Sequence, residues 1–196
     1  MKFKQVFAFL TLLFFSFPLA GRAYWVWSPE QGKFINPEGA ADESTDENFN
    51  RAMKLYKDKN YKEAADKIRT ILKKNPNAKI APEALYRLGV IYEEQGDYLK
   101  AFKQYQKLVE SYPGSERFSE VVERQFRIGN LFFTGKKAKF AGLEILPSLP
   151  RAAQVFEQIV KTAPYGEYGD KSQFQLGLTY KKMGKFGQAV DALQKV

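Results

Sequence analysis

The chain has 196 residues, a formal net charge of +9, and neither cysteine nor histidine. This composition excludes disulfides, thiolate metal sites, cysteine nucleophiles and every histidine-based catalytic centre. Its 31 Lys and Arg are interspersed with 22 Asp and Glu, as on solvated helix faces, and form no basic stripe for nucleic acid.

Residues 1–23 read as a secretory signal peptide. Lys2 and Lys4 precede an apolar run at 6–17 that is too short to span a bilayer comfortably. Gly21-Arg22-Ala23 places small residues for cleavage before Tyr24; cleavage after Ala20 and retention as an N-terminal anchor are the alternatives. Losing Lys2, Lys4 and Arg22 would leave 9 − 3 = +6 on the mature chain. The protein is therefore expected to be exported.

Residues 24–44 form a separate segment. In YWVWSPEQGKFINP, aromatic residues flank a Ser-Pro-Glu-Gln-Gly turn, which predicts a small β-hairpin or an extended strap. Tyr24, Trp25, Trp27 and Phe34 make it a candidate docking strap for a partner, or a cover for the chain's own first repeat. Residues 38–46 are rich in Gly, Ala, Ser and acidic residues and read as a linker.

From residue 45 the pattern becomes helical and repeats. The clearest unit spans 82–115. Leu85, Leu88, Gly89 and Tyr92 form one helical stripe, and Ala101, Tyr105 and Leu108 form a second. Gly96 can end the first helix in a left-handed turn, Asp97 can cap the second, and Pro113 stops it. This is tetratricopeptide (TPR) spacing with Leu in place of the usual Trp. Gly89 and Ala101 are predicted where the paired helices approach closely.

The other units follow in register. In 45–81, Ala52 to Ala64 repeats the Gly89-to-Ala101 spacing, 64 − 52 = 101 − 89 = 12. In 116–168, Gly129 and Ala152 are 23 apart, so 23 − 12 = 11 residues are inserted, within 136–150. That insert starts basic and turns apolar. It reads either as a loop contacting a partner or a membrane surface, or as one folded over the convex side. The fourth unit, 169–196, carries Leu176, Gly177 and Tyr180 and stops within its second helix, which suggests a fragment. The predicted fold is an all-α TPR solenoid of about four helix hairpins, the third with an inserted loop.

The repeat YxLGxxYEEQGDYxKAFKQYQKLVESYP, the exported leader and the split third hairpin together resemble the BamD (YfiO/ComL) family, TPR factors of outer-membrane β-barrel assembly. The resemblance covers 48–196. It implies a periplasmic scaffold at the inner face of the outer membrane, with a β-barrel assembly subunit and unfolded outer-membrane client segments as protein partners. That family anchors itself through a lipidated Cys; this chain has none, so a lipid on Cys is excluded, which leaves peripheral membrane association or the retained N-terminal anchor. A periplasmic TPR adaptor of the YbgF/CpoB kind, or a secretion-complex peptide-binding module, is the alternative.

In the TPR frame the fifth position of each unit faces the groove. Here these positions are Phe49, Tyr86, Phe126 and Phe174, with Met53, Tyr56, Val90, Glu93, Asn130, Phe133 and Leu178 beside them as candidate peptide-groove residues. An aromatic ladder of this kind would favour apolar or aromatic client side chains, unless the rings serve helix packing instead. No phosphate loop, nucleophile elbow or metal-spaced cluster appears in the sequence. The reading is of a non-enzyme without cofactor, metal or small-molecule substrate.

Overall fold

Three small residues set how the helices pair. The computed structural model describes residues 26–29, 33–35, 37–135 and 147–196. The signal peptide, Tyr24, Trp25 and residues 136–146 of the insert lie outside these. The chain divides into two units, Met1–Ala40 and Ala41–Val196.

In the first unit, β1 (Val26–Ser28) and β2 (Lys33–Ile35) pair antiparallel, with Trp27 opposite Phe34. The predicted hairpin is therefore present. The predicted linker is not: α1 runs Pro37–Lys57 and takes in residues 38–46. Pro37 suits a first helical position, and Glu38, Ala40, Ala41 and Glu43 are compatible with helix, so a composition resembling a linker carries a helix start.

The second unit continues with α2 (Tyr61–Lys74), α3 (Ala81–Glu94), α4 (Tyr98–Ser111), α5 (Phe118–Thr134), α6 (Leu149–Thr162), α7 (Glu167–Lys182) and α8 (Phe186–Leu193). Each hairpin's second helix packs on the first helix of the next: α2 on α3, α4 on α5 and α6 on α7. The insert predicted at 136–150 ends earlier than expected, because Leu149 already opens α6. Likewise α7 begins two residues ahead of the predicted boundary at 169.

The pairing is nearly identical from repeat to repeat. A Cβ on Gly89 would stand 2.2 Å from Tyr105, one on Gly129 2.6 Å from Phe156, and one on Gly177 2.5 Å from Leu193. Tyr105, Phe156 and Leu193 each lie four residues after the alanine of the second helix, at Ala101, Ala152 and Ala189. The absent side chain is the slot into which the large one fits. Ala52 and Ile68 occupy the matching places in the first repeat, both at 0% exposure.

The turns repeat as well. Gly96 and Gly184 adopt φ of 72° and 75°, and Asp97 accepts a hydrogen bond from the Lys100 N–H at 3.2 Å. The matching turn residue in the first repeat is Lys59, at φ 60°. All three stand five residues before the alanine of the second helix: 64 − 59 = 101 − 96 = 189 − 184 = 5. A Cβ in the left-handed region costs about 1 kcal/mol. Lys59→Gly is expected to raise unfolding stability by about 0.5–1 kcal/mol after the added freedom of the unfolded chain is counted, read as a higher urea midpoint.

Among the described residues Thr45, Gln125, Ser172, Gln173 and Thr179 are buried polar positions, and Gln125 is the clearest break in the apolar pattern. Gln125 on α5 is 0% exposed; its amide donates to Gln106 Oε1 on α4 at 2.9 Å, and its own carbonyl oxygen has no partner. A buried orphan acceptor costs about 1–3 kcal/mol, whereas Gln106 is only half-buried and can turn to water. Gln125→Met should therefore stabilise the chain by about 1 kcal/mol, seen as a higher denaturant midpoint at unchanged slope.

Candidate protein-interaction face

The first helices of successive repeats, α3, α5 and α7, carry most of the predicted groove positions. The structure sorts these positions by accessibility. Phe49 and Tyr86 are buried at 7% and 5% exposure, and Val90 reaches only 9%. Phe126 is half-buried and packs on Phe156 and Tyr168, with ring centroids 5.8 and 5.3 Å apart. Met53 and Tyr56 are half-buried against the core, and Tyr56 stacks obliquely on Tyr61. Phe133 carries the Lys182 ammonium 4.2 Å above its ring. Phe174 is open, at 47% exposure, and Leu178 beside it is half-buried. Of the four ladder rings, then, one presents itself freely to solvent and the others serve mainly in packing.

Between α3 and α5 the face is ionic. Arg124 donates to Glu93 at 3.2 Å, to Glu120 at 3.2 Å and to the Tyr86 hydroxyl at 3.2 Å. Arg117 bridges Glu83 and Glu120, each at 2.9 Å, and Arg87 returns to Glu83 at 2.7 Å. Tyr105 donates to Glu93 at 2.6 Å, and Tyr86 donates to Glu120. Three guanidinium groups, those of Arg117, Arg87 and Arg124, surround the Tyr86 ring at 4.5–5.4 Å. Three Glu thus balance three Arg around one phenol.

The electrostatics follow from this closure. Burial pushes the Glu120 carboxyl upward, but hydrogen bonds from Tyr86, Arg117 and Arg124 outweigh it and hold the group below the usual carboxylate range. Burial, then the Glu93 charge, push the Tyr105 hydroxyl far up. Burial also lifts Tyr86, helped by its bond to Glu120. On the neighbouring pair of repeats, burial and Glu157 push Tyr180 up to about 12.

Beside the network lies an open pocket of about 490 Å³. It brings together three predicted residues, Glu93, Phe126 and Asn130, with Tyr98, Arg124, Arg127 and Thr134, which the sequence reading did not single out. Arg127 is exposed at its mouth. Arg124 did leave a trace in the sequence. It stands five before Gly129, where the second and fourth repeats have Ala84 and Ser172 and the first has Glu47 five before Ala52. Ala84 and Ser172 are buried whereas Glu47 is exposed, and Arg124, half-buried in that column, takes its partners on a neighbouring helix as well as its own.

The candidate strap is exposed where it is described: Trp27 and Phe34 are 51% and 62% accessible and meet edge-to-face at 5.2 Å. Tyr24 and Trp25 lie outside the described residues.

Comparison with known proteins agrees with the repeat geometry. Family models described as "Tetratricopeptide repeat" match residues 83–115, which span α3 and α4, and residues 170–196, which span α7 and α8. No curated protein matches the chain in sequence. Among solved structures the chain is similar to MamA from Desulfovibrio magneticus RS-1, at 20% identity over 77% of this chain and 72% of that one, with a TM-score of 0.40. It is also similar to a tetratricopeptide repeat protein from Parabacteroides merdae, at 14% identity over 79% and 52%, with a TM-score of 0.44. A third is the complex of the TPR2AB domain of yeast Sti1 with an HSP90 peptide, at 17% identity over 77% and 62%, with a TM-score of 0.40. Helix pairing around Gly89, Gly129 and Gly177, together with the two matched segments, makes this chain a helical TPR solenoid, a protein-interaction scaffold.

Proposed function

We propose that the chain is an exported, periplasmic TPR scaffold of the BamD type. In this reading it binds extended segments of outer-membrane clients along the α3–α5–α7 face and docks to other subunits of β-barrel assembly. The observation that carries the reading is the split third hairpin. The other three hairpins turn in three residues, whereas α5 ends at Thr134 and α6 opens at Leu149, a gap of 148 − 134 = 14 residues. The resemblance rests on that feature, on the leader and on the repeat sequence. Binding is non-covalent, through the accessible Phe174 and the pocket mouth at Arg127 and Asn130.

A second reading has one observation in its favour. The centre of the face is a closed ionic network and not a run of open rings, which suits polar extended segments and hence a periplasmic adaptor of another kind. Affinity isolation from the envelope of the native host separates the two. Recovery of the barrel-forming assembly subunit supports the first reading; recovery of division or peptidoglycan-linked proteins supports the second. With denatured β-barrel segments as ligand, Phe174→Ala and Arg127→Ala should each weaken binding by about 1–2 kcal/mol without altering helical content. Unchanged affinity in both would remove this face from client binding.

A further inference from the structure

The ribbon formed by β1 and β2 is too small to bury a core of its own. Each strand has three residues, and an isolated two-stranded ribbon is marginal in water. Trp27 and Phe34 form a cross-strand pair on one face and are about half exposed or more. Val26 alternates to the opposite face and is 43% exposed. Apolar side chains are therefore open on both sides of the same ribbon.

Two observations indicate what covers them. A groove on a protein takes one face of a ribbon and leaves the other in water, whereas a bilayer interface surrounds both. Trp is enriched at headgroup level, and Phe serves on the apolar face of interfacial segments. Charge points the same way: the chain carries +9, and +6 without Lys2, Lys4 and Arg22, a net positive charge complementary to anionic lipid. The ribbon also follows closely on the apolar run at 6–17 and its flanking Lys2, Lys4 and Arg22, a leader that brings the next residues to a membrane.

We propose that the β1–β2 ribbon is a membrane-interface anchor. Trp27, Phe34 and Val26 lie among the headgroups of an anionic bilayer and hold the repeats at its surface. This inference does not depend on which client the repeats bind.

The chain supplies its own probe, because Trp27 lies in β1 and the other tryptophan, Trp25, precedes it by two residues in sequence. The protein is taken from the envelope of its native host, so that its N-terminus is the one cells make. It is mixed with vesicles of phosphatidylethanolamine and phosphatidylglycerol. Tryptophan emission should shift to the blue and be quenched by lipids brominated near the headgroup. Co-flotation of the Trp27→Ala, Phe34→Ala double variant should fall about tenfold while its helical content is unchanged. Emission that neither shifts nor is quenched would overturn the proposal, whether the ribbon docks on protein or is already covered in buffer. Undiminished flotation of the double variant would overturn it too. Equal partition onto phosphatidylcholine vesicles would overturn the anionic preference.

Discussion

Gly89→Ala is expected to cost about 3 kcal/mol. The added Cβ would stand 2.2 Å from Tyr105 Cε1 and 2.7 Å from two further ring atoms. Tyr105 cannot retreat. It is 0% exposed, sits in the same plane of packing as Ala101 and Leu108, and is tethered by its hydroxyl to Glu93 at 2.6 Å. The axes of α3 and α4 must therefore separate, and the loss spreads along the whole contact. Equilibrium urea unfolding measures it directly. The pairwise origin is checked with Tyr105→Leu, which shortens the side chain above the glycine. Tyr105→Leu alone should destabilise, since it opens space and leaves Glu93 short of a donor. In the Gly89→Ala background it should cost far less, giving a coupling of at least about 1 kcal/mol. Strict additivity would mean that the two residues do not compete for one space, and the repeat-by-repeat account of the fold would fail with it. Gly129→Ala against Phe156 is the matching experiment in the third repeat, where the distance is 2.6 Å.

These contacts were the most legible part of the molecule, and the reason is local. Small residues at a fixed separation lie within one hairpin, so the sequence lists both sides of the contact within a few turns. The same holds for Gly96 and Asp97, whose turn and cap follow from their own conformational preferences. The start of α1 was not legible, because residues 38–46 have an acidic, glycine-containing composition that also suits a linker, and only Pro37 hints at a helix. The groove positions fall on the first helices of their repeats, and most of their rings are covered. Tyr86 stands at a groove position within its own repeat, yet Arg117 and Glu120 of the next repeat close over it. No pattern inside residues 82–115 reveals that cover. Side chains long enough to cross between repeats decide it, and their targets lie 31 to 38 residues away.

Arg124 makes two of these crossings, to Glu93 and to Tyr86, and Arg124→Met should cost about 2–3 kcal/mol at neutral pH. Its side chain is 20% exposed and Glu93 19%, so solvent screens the pair only in part. Methionine keeps the stem's packing but leaves Glu93 and Glu120 short of a donor. Glu120 is held less tightly, being 36% exposed, and its loss in Glu120→Gln should cost nearer 1 kcal/mol. The pH dependence separates this charge effect from mere packing. Because the folded state holds the Glu120 carboxyl below its ordinary value of 4.5, it stabilises the fold fully above that pH. The contribution disappears as pH falls from 4.5 through the lower, folded value. Wild type and Glu120→Gln should therefore differ most at neutral pH and converge in acid, in urea midpoints measured from pH 7 downward. A gap that stays constant across that range would show that Glu120 acts by shape alone, and that its charge contributes nothing to the seam between α3 and α5.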